Sequence, residues 1–273
     1  MLTPAPVRGS ARSGSERIAY RVLGDGARTW VLVMGLGGRA ADWGEAFPHA
    51  LAREGRVVLL DNRGTGASSQ PDTPWSLEDM ASDVLAVLDD LDLGRASVLG
   101  LSMGGMIAQE LALAHPERVE RVVLMSTHAG GPQPERPPEI VALFLPPRGT
   151  SMETITRDAL RLITGPGFAD AHAPIVEELV RRALAQPTPK RTFLAQVQAI
   201  LSSDRRERLG ALGPPALVIH GTDDPLIPVE AGRELARLIP GARLVELPGC
   251  GHLPHLERAE AVLEALRAPP AAG

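Results

Sequence analysis

The sequence predicts an α/β fold in which a mostly parallel sheet is flanked by helices. Short apolar runs alternate with stretches of helical periodicity along the 273 residues. Several of these runs are almost entirely apolar, which is typical of strands that helices cover on both faces. With 44% hydrophobic and 22% charged residues the composition is that of an ordinary globular protein, and a chain of this length can bury a large core.

The period of the apolar residues predicts the individual elements. Predicted strands cover residues 17–23, 30–34, 56–60, 96–99, 119–125, 216–219 and 243–247. Predicted helices cover residues 76–91, 105–115, 230–239 and 257–266. Ser76 is placed to cap the first of these helices. Residues 1–16 are rich in Pro, Ser and Gly, lack the apolar segment of a secretory signal, and are expected to form a flexible lead.

The alternation of strands and helices breaks down between residues 130 and 215. Two proline-rich stretches, residues 131–138 and 146–149, interrupt regular structure. Three segments with an apolar stripe at helical spacing accompany them, at residues 152–163, 174–185 and 192–201. This part of the chain is therefore predicted to be an all-helical insertion between two strands of the sheet.

A serine stands at a predicted strand-to-helix turn. Gly100-Leu101-Ser102-Met103-Gly104 follows an apolar run and opens a helical stretch, and this arrangement is a nucleophile elbow. Small residues are needed beside such a serine because its backbone is strained and a neighbouring Cβ would collide with the strand or the helix. An ordinary glycine-rich turn is the alternative for these five residues taken alone.

A serine nucleophile needs a histidine base and a carboxylate that orients the histidine. His252, in a glycine-flanked loop after the last predicted strand, is the candidate base. The carboxylate candidates are Asp223 and Asp224, in the turn after the strand predicted at residues 216–219. His220, at the end of that strand, is expected to be packed or bonded to the turn rather than catalytic.

The residue types also raise a metal site and one further histidine. Cys250, His252 and His255 suggest a metal site, but no further ligand cluster with zinc-type spacing accompanies them, and no metal is expected. His128, which follows a predicted strand, is interpreted either as a pocket residue or as a surface-loop residue.

These motifs resemble the α/β-hydrolase superfamily, with matches from about residue 31 to residue 257. The loop at residues 61–66 resembles the one that follows the fourth strand of these proteins, and Asp61 and Arg63 are expected to order it. Residues 100–109 and 115–119 are especially similar to small esterases and enol-lactonases. The resemblance implies an eight-stranded, mostly parallel sheet, with residues 130–213 as a helical cap on a core of residues 1–129 and 214–273.

The resemblance also implies the site residues. The family places its acid four residues before the proline that ends this loop, here Pro228, which selects Asp224 and leaves its neighbour as a turn residue. The implied oxyanion donors are the backbone N–H groups of Leu36 and Met103. Met34 stands where many relatives have a histidine before the glycine of the oxyanion loop, so one loop-ordering hydrogen bond is expected to be lost.

The roles that the resemblance implies are those of a serine hydrolase without a cofactor. Such an enzyme cleaves a small carboxylic ester through an acyl-enzyme, with Ser102, His252 and Asp224 as the triad. A lactonase is the nearest alternative, and carbon–carbon bond hydrolysis and cofactor-free perhydrolysis also fit. Haloalkane dehalogenation is disfavoured because that chemistry needs an aspartate where Ser102 stands. The alternative from a different class is a ligand receptor that retains the fold with little turnover.

Charge and composition restrict the expected partners to small molecules. The net charge of −5 and the lack of a dense Lys/Arg run argue against nucleic acid. No apolar stretch approaches the roughly 18 residues of a membrane span. The single cysteine, Cys250, excludes an intramolecular disulfide and fits a reducing compartment. The protein is therefore expected to be cytoplasmic, and its oligomeric state is left open.

Overall fold

Eight strands form a single sheet in the computed structural model, which describes residues 7–72, 74–132, 137–144 and 147–268. The strands are β1 (Val7–Ser13), β2 (Glu16–Leu23), β3 (Thr29–Val33), β4 (Arg56–Leu60), β5 (Ala96–Leu101), β6 (Val119–Met125), β7 (Ala216–Gly221) and β8 (Arg243–Leu247). Their order is β1-β2-β4-β3-β5-β6-β7-β8. The β1–β2 and β2–β4 pairs are antiparallel, whereas β4, β3 and the four strands beyond β3 run parallel. The predicted fold class is confirmed.

The central strands are apolar throughout because both faces of the sheet are covered. Successive side chains of a strand point to opposite faces, so Val31 lies in one core cluster and Leu32 in the other. The same division separates Val58 from Leu59 and places Leu99 on the face opposite Val98. This double burial explains why these strands show no polar alternation in the sequence.

Helices cover the two faces. The helices of the α/β layers are α1 (Ala46–Ala52), α2 (Leu77–Asp90), α3 (Met103–Ala114), α9 (Val229–Leu238), α10 (Pro254–Glu257) and α11 (Ala259–Arg267). Apolar residues of α2, α3 and α9 belong to one core cluster, and those of α1 and α11 belong to the other. The four helices predicted in these layers are present with small shifts of their ends, and α1 and α10 were not predicted. None of the described helices is long and apolar enough to span a bilayer.

Five further helices of the described residues lie between β6 and β7, where the insertion was predicted. They are α4 (Pro138–Phe144), α5 (Met152–Ile163), α6 (Phe168–Ala171), α7 (Ala173–Ala185) and α8 (Lys190–Leu201). The three predicted helices are present as α5, α7 and α8, while the short α4 and α6 were not predicted. Leu160, Val176 and Val180 form a small core of their own, against which Leu253 of the main body packs.

The prediction of a flexible lead at residues 1–16 is wrong for its described part. Val7–Ser13 forms β1, which pairs with β2 along its whole length across a two-residue turn. Gly14 enters that turn with a φ of 59°, a conformation that glycine adopts without strain. Pairing at the edge of the sheet satisfies the backbone groups that face β2 whatever the side chains are, and Ala11 is fully buried. Residues 1–6 of the predicted lead lie outside the described residues.

The N-terminal cap of α2 provides a test of the predicted capping role of Ser76. The Ser76 hydroxyl accepts the Asp79 N–H at 3.2 Å, and the Asp79 carboxylate accepts the Ser76 N–H at 2.8 Å. We expect Ser76→Ala to lower the free energy of unfolding by about 1 kcal/mol in urea denaturation. Ser82→Ala, on the exposed face of the same helix, should change it by less than about 0.5 kcal/mol. Equal losses in the two variants would contradict the capping role.

Candidate active site

Ser102 occupies the turn between β5 and α3 in a strained backbone conformation. Its φ of 55° and ψ of −120° are unusual for a residue with a side chain. The surrounding structure enforces them: the Ser102 N–H donates to the Met125 carbonyl at 2.8 Å, and the Thr127 hydroxyl donates to the Ser102 carbonyl at 2.7 Å. Strain of this kind is found at functional sites, where surrounding contacts over-determine the backbone.

The two glycines that frame Ser102 are required by close approach. A Cβ on Gly100 would overlap the Gly104 carbonyl, and a Cβ on Gly104 would overlap the Val33 carbonyl. Strand β5, helix α3 and the end of β3 therefore meet with no space for side chains at these positions. This agrees with the steric reason for which the sequence motif was interpreted as a nucleophile elbow.

The structure brings His252 and Asp224 into direct contact. His252 lies in the loop after β8 and Asp224 in the loop after β7, and the His252 Nδ1 to Asp224 Oδ2 distance is 2.7 Å. Asp223 is instead exposed and accepts the Thr222 hydroxyl at 2.7 Å. When the Nδ1–H of a neutral imidazole donates to the carboxylate, Nε2 is left as a proton acceptor. The placement therefore favours Asp224 over its neighbour.

Asp224 is ionised at neutral pH although it is 5% exposed. Burial by itself would raise the pKa of this carboxyl, but the charge of His252 and hydrogen bonds from His220 and His252 outweigh it and lower the pKa to about 2. The other carboxylate oxygen accepts the backbone N–H groups of Leu226 and Ile227, each at 2.9 Å. The carboxylate is thus fixed in both charge and orientation.

His220 and His128, whose roles the sequence did not settle, are both buried. His220 is packed as expected, with Nε2 at 2.8 Å from the Ile227 carbonyl and at 3.5 Å from Asp224 Oδ2. His128 is 3% exposed, and its Nδ1 accepts the Gly130 N–H. It is not among the described residues that line the cavity, so neither of its two interpretations holds.

Glu257 holds the histidine loop and was not predicted. Its carboxylate accepts the N–H groups of the two residues that flank His252, Gly251 at 2.8 Å and Leu253 at 3.0 Å. It also accepts the Gly165 N–H at 2.7 Å, and the His252 N–H donates to the Ile163 carbonyl at 2.7 Å. The loop is therefore bound to the insertion. No sequence pattern marks the bonds of the Glu257 side chain to these backbone groups, of which Gly165 is remote in the chain.

Met103 and the loop that carries Leu36, the two predicted oxyanion donors, both lie next to Ser102. Met103 is the first residue of α3, and the first amide groups of a helix have no acceptor within it. Leu36 lies in the loop after β3, where the Gly38 N–H donates to the Gly35 carbonyl at 3.1 Å. A Cβ on Gly35 would lie 3.1 Å from the Ser102 Cβ, so this loop passes directly beside the serine.

Asp61 and Arg63 order the loop after β4, as expected, and Asp61 also binds the loop after β3. The Asp61 carboxylate accepts the Ala40 N–H at 2.8 Å and the Ala67 N–H at 2.9 Å. Arg63 makes a two-pronged ion pair with buried Asp83, both contacts at 2.7 Å. Both side chains order loops and neither is among the described residues that line the cavity.

A cavity of about 710 Å³ joins Ser102, His252 and Leu36. Most of its described lining is apolar and comes from both the insertion and the main body. The branched aliphatic residues of this lining include Leu143, Ile155, Leu160, Ile163, Leu179, Leu194, Leu226, Leu253 and Leu256. Phe144 and Phe193 are the phenylalanines of the described lining. The volume is in the usual range of small-molecule sites, and the lining favours an apolar ligand.

Positive charge is scarce in this cavity. The Arg39 guanidinium is bound to Asp42 by two contacts of 2.9 and 3.2 Å, and it donates to the backbone carbonyls of Arg182 and Gln186. Burial lowers the pKa of His255 to about 3, so its imidazole is neutral. Lys190 also lines the cavity, but it is exposed to solvent. Among the described residues no group of three or more His, Cys, Asp or Glu side chains is placed to hold a metal ion.

The chain is similar to known proteins over most of its length. A family model described as the alpha/beta hydrolase fold matches residues 31–259. A 2-hydroxy-6-oxononadienedioate/2-hydroxy-6-oxononatrienedioate hydrolase from Burkholderia vietnamiensis is 34% identical over 274 residues, covering 93% of this chain and 92% of the relative. The enol-lactonase from Burkholderia xenovorans LB400 has a TM-score of 0.81 at 32% identity, with 95% of this chain and 100% of that chain covered. An esterase from Rhodococcus sp. ECU1013 has a TM-score of 0.81 at 27% identity, with 95% and 97% covered.

The contact between His252 and Asp224 predicts how Ser102 reacts. We expect Asp224→Asn to slow covalent labelling of Ser102 by a fluorophosphonate by about 10⁴-fold, the loss that follows the same change in a serine protease triad. Asp223→Asn is the matched control, and because that side chain is exposed its labelling rate should stay within about twofold of the wild type. The rates are measured by mass spectrometry of the intact protein. The reverse order of the two variants would transfer the acid role to Asp223.

Proposed function

Because the chain belongs to the alpha/beta hydrolase fold family, we propose that it is a serine hydrolase that cleaves a small, uncharged carboxylic ester. The observation that carries the proposal is that one apolar cavity is lined by the strained Ser102 and by His252, whose Nδ1 is 2.7 Å from Asp224. Each feature matches one requirement of nucleophilic acyl transfer: an exposed nucleophile, a base with a free nitrogen, and a carboxylate that fixes the base.

Acylation begins when Ser102 Oγ attacks the ester carbonyl carbon while its proton passes to His252 Nε2. The imidazolium that forms is stabilised by the ionised Asp224 carboxylate. The oxygen of the tetrahedral intermediate accepts the backbone N–H groups of Leu36 and Met103, each worth roughly 3–4 kcal/mol if it resembles measured oxyanion donors. The carbon–oxygen bond to the alcohol then breaks, and the alcohol leaves with the proton from His252.

Deacylation repeats the same steps with water as the nucleophile. Water gives a proton to His252 Nε2 and attacks the acyl carbon, and the Ser102 oxygen leaves with that proton as the carboxylic acid is released. No electron transfer occurs and no bound group is consumed. The proposed reaction therefore needs no cofactor.

The helical insertion is proposed to act as a cap, with residues 130–213 lying on a core of residues 1–129 and 214–273. Its support is that α5, α7 and α8 each contribute side chains to the cavity that Ser102 lines. Met152 and Leu194 belong to that lining and are about half exposed, at 48% and 51%. An acyl group bound here would be shielded from water by the insertion on one side and by the main body on the other.

Charge favours an ester over a carbon–carbon bond substrate of the kind named for the Burkholderia vietnamiensis relative. That relative is named for a dioate, which carries two negative charges. In the described lining Arg39 is already paired with Asp42, and His255 is neutral. A buried carboxylate without a partner costs several kcal/mol. Lactone hydrolysis remains the second candidate, because a lactone is a neutral cyclic ester and a 32% identical neighbour is an enol-lactonase.

The main test is hydrolysis of p-nitrophenyl esters from acetate to laurate. The volume of about 710 Å³ predicts an optimum at medium chain length, roughly four to eight acyl carbons. Ser102→Ala should lower turnover by at least about 10⁴-fold, while Ser82→Ala, on the exposed face of α2, should not change it. Turnover that survives Ser102→Ala would overturn the mechanism. Stoichiometric ligand binding without product would favour a receptor.

A second test separates neutral from charged substrates of equal length. We expect kcat/KM for p-nitrophenyl pentanoate to exceed that for p-nitrophenyl hydrogen glutarate by at least about tenfold, because the glutarate end group places an unpaired carboxylate in the cavity. The two acyl groups have the same number of carbons, so the comparison isolates the charge. A preference for the glutarate ester would favour a substrate of the dioate class instead.

A further inference from the structure

The peptide groups around Gly37, in the oxyanion loop, are held from both sides by the insertion. The Gly37 N–H donates to Gln196 Oε1 at 2.8 Å, and the Gly37 carbonyl accepts the Thr188 hydroxyl at 2.6 Å. Gln196 lies in α8, and Thr188 lies in the loop that precedes it. Two side chains separated by about 150 positions from the loop therefore fix it.

These bonds fix the two consecutive peptide planes that follow Leu36. The Gly37 N–H belongs to the plane between Leu36 and Gly37, and the Gly37 carbonyl belongs to the next plane. On the other side the Gly38 N–H donates to the Gly35 carbonyl at 3.1 Å. The Gly35 carbonyl shares its peptide plane with the Leu36 N–H, so the turn bond and the two side-chain bonds restrain the planes on both sides of Leu36.

Packing alone does not account for Gln196. The side chain is fully buried, and its Nε2 is among the buried atoms of the described residues that have no hydrogen-bond partner. An unpaired buried amide nitrogen lowers stability, and an apolar side chain of similar shape would avoid that cost. What the glutamine supplies and an apolar residue would not is the acceptor for Gly37.

The loop has little other side-chain support at its start. Met34 precedes it, and a thioether has no N–H or O–H to donate. The Met34 carbonyl accepts the Asn62 side-chain N–H at 2.9 Å, which anchors the beginning of the loop to the main body. The part that carries the proposed donor is anchored to the insertion instead.

We propose that Thr188 and Gln196 are positioning residues, which hold the Leu36 N–H where the oxyanion of the reaction forms. This inference rests on the proposed function, since it assumes that Leu36 is an oxyanion donor. It adds that the insertion completes the catalytic machinery as well as enclosing the substrate. We call the two bonds from Thr188 and Gln196 to Gly37 the clamp. An oxyanion hole acts because its donors are preorganised, so loosening the clamp lowers the rate of acyl transfer more than it weakens substrate binding.

The experiment compares four variants on a p-nitrophenyl ester. Thr188→Val and Gln196→Met each remove one bond to Gly37, whereas Thr188→Ser keeps the hydroxyl and Gln198→Met changes an exposed glutamine of the same helix. Removal of an oxyanion donor costs about 10²–10³-fold in kcat, so displacement of one is expected to cost about tenfold to hundredfold, with KM within about twofold. The serine variant and the Gln198 control should retain wild-type kcat.

A second readout separates positioning from a change in cavity shape. A trifluoromethyl ketone forms a tetrahedral adduct with a serine and needs the oxyanion donors, so its Ki should rise by the same factor by which kcat falls. Circular dichroism melts show whether each variant is folded. A folded Thr188→Val and Gln196→Met with unchanged kcat, or with a rise in KM alone, would overturn the proposal.

A third readout does not depend on turnover. Hydrogen–deuterium exchange at the Gly37 amide should be faster in Gln196→Met than in the wild type and in Gln198→Met, because that amide loses its acceptor. Equal exchange in all three proteins would overturn the clamp whatever the activity. A different outcome would refute the proposed function and leave the hold on Gly37 intact. In that case the wild type neither hydrolyses esters and lactones nor reacts with a fluorophosphonate, yet the Gly37 amide exchanges faster in Gln196→Met than in the two other proteins.

Discussion

The tight meeting of β5, α3 and β3 at Ser102 is the constraint on which the rest of the site depends. Because Gly100 and Gly104 leave no space between the backbones, Ser102 must adopt its positive φ and occupy the end of the sheet. The parallel strands β7 and β8 have their carboxyl ends on the same side of the sheet, and the loops that follow them supply Asp224 and His252. The topology therefore brings together residues that are far apart in the chain, and local bonds then refine their positions.

The insertion is bound to two of the loops that the proposed mechanism uses. On the histidine side, the Ile163 carbonyl accepts the His252 N–H, and Gly165 shares the Glu257 carboxylate with the histidine loop. On the oxyanion side, Thr188 and Gln196 hold Gly37. All of these bonds join the insertion to the main body, so a movement of the insertion away from the main body breaks them together. It follows from the proposal that a displaced insertion leaves neither loop in its working geometry.

The sequence predicted those parts of the molecule that leave a local pattern. Strands buried on both faces are apolar runs, and the elbow at Ser102 needs glycines at fixed spacing, so both were recognisable. Asp224 was separated from Asp223 by resemblance alone, and the structure supplies the physical distinction, since one carboxylate is buried against His252 and the other is exposed. Strand β1 was missed because its exposed polar residues look like those of a loop, although it pairs with β2 along its whole length at the edge of the sheet.

Glu257, Thr188 and Gln196 were beyond the reach of sequence reasoning for one reason: each binds backbone groups through its side chain, and no sequence pattern marks such bonds, whether the partner is near in the chain, as Gly251 is, or remote, as Gly37 is. The position of Thr188 and Gln196 also links substrate specificity to catalytic rate. Phe193 lies between Thr188 and Gln196 in sequence, lines the cavity, and is the described side chain nearest to where a Cβ on Gly37 would stand, at 3.7 Å. A substitution that reshapes this wall of the cavity also moves the residues that hold the oxyanion loop. If Thr188 and Gln196 act as proposed, a substitution in α8 cannot alter the substrate range without also altering the catalytic rate. Helices α5 and α7 also line the cavity, but none of the described hydrogen bonds joins them to Gly37.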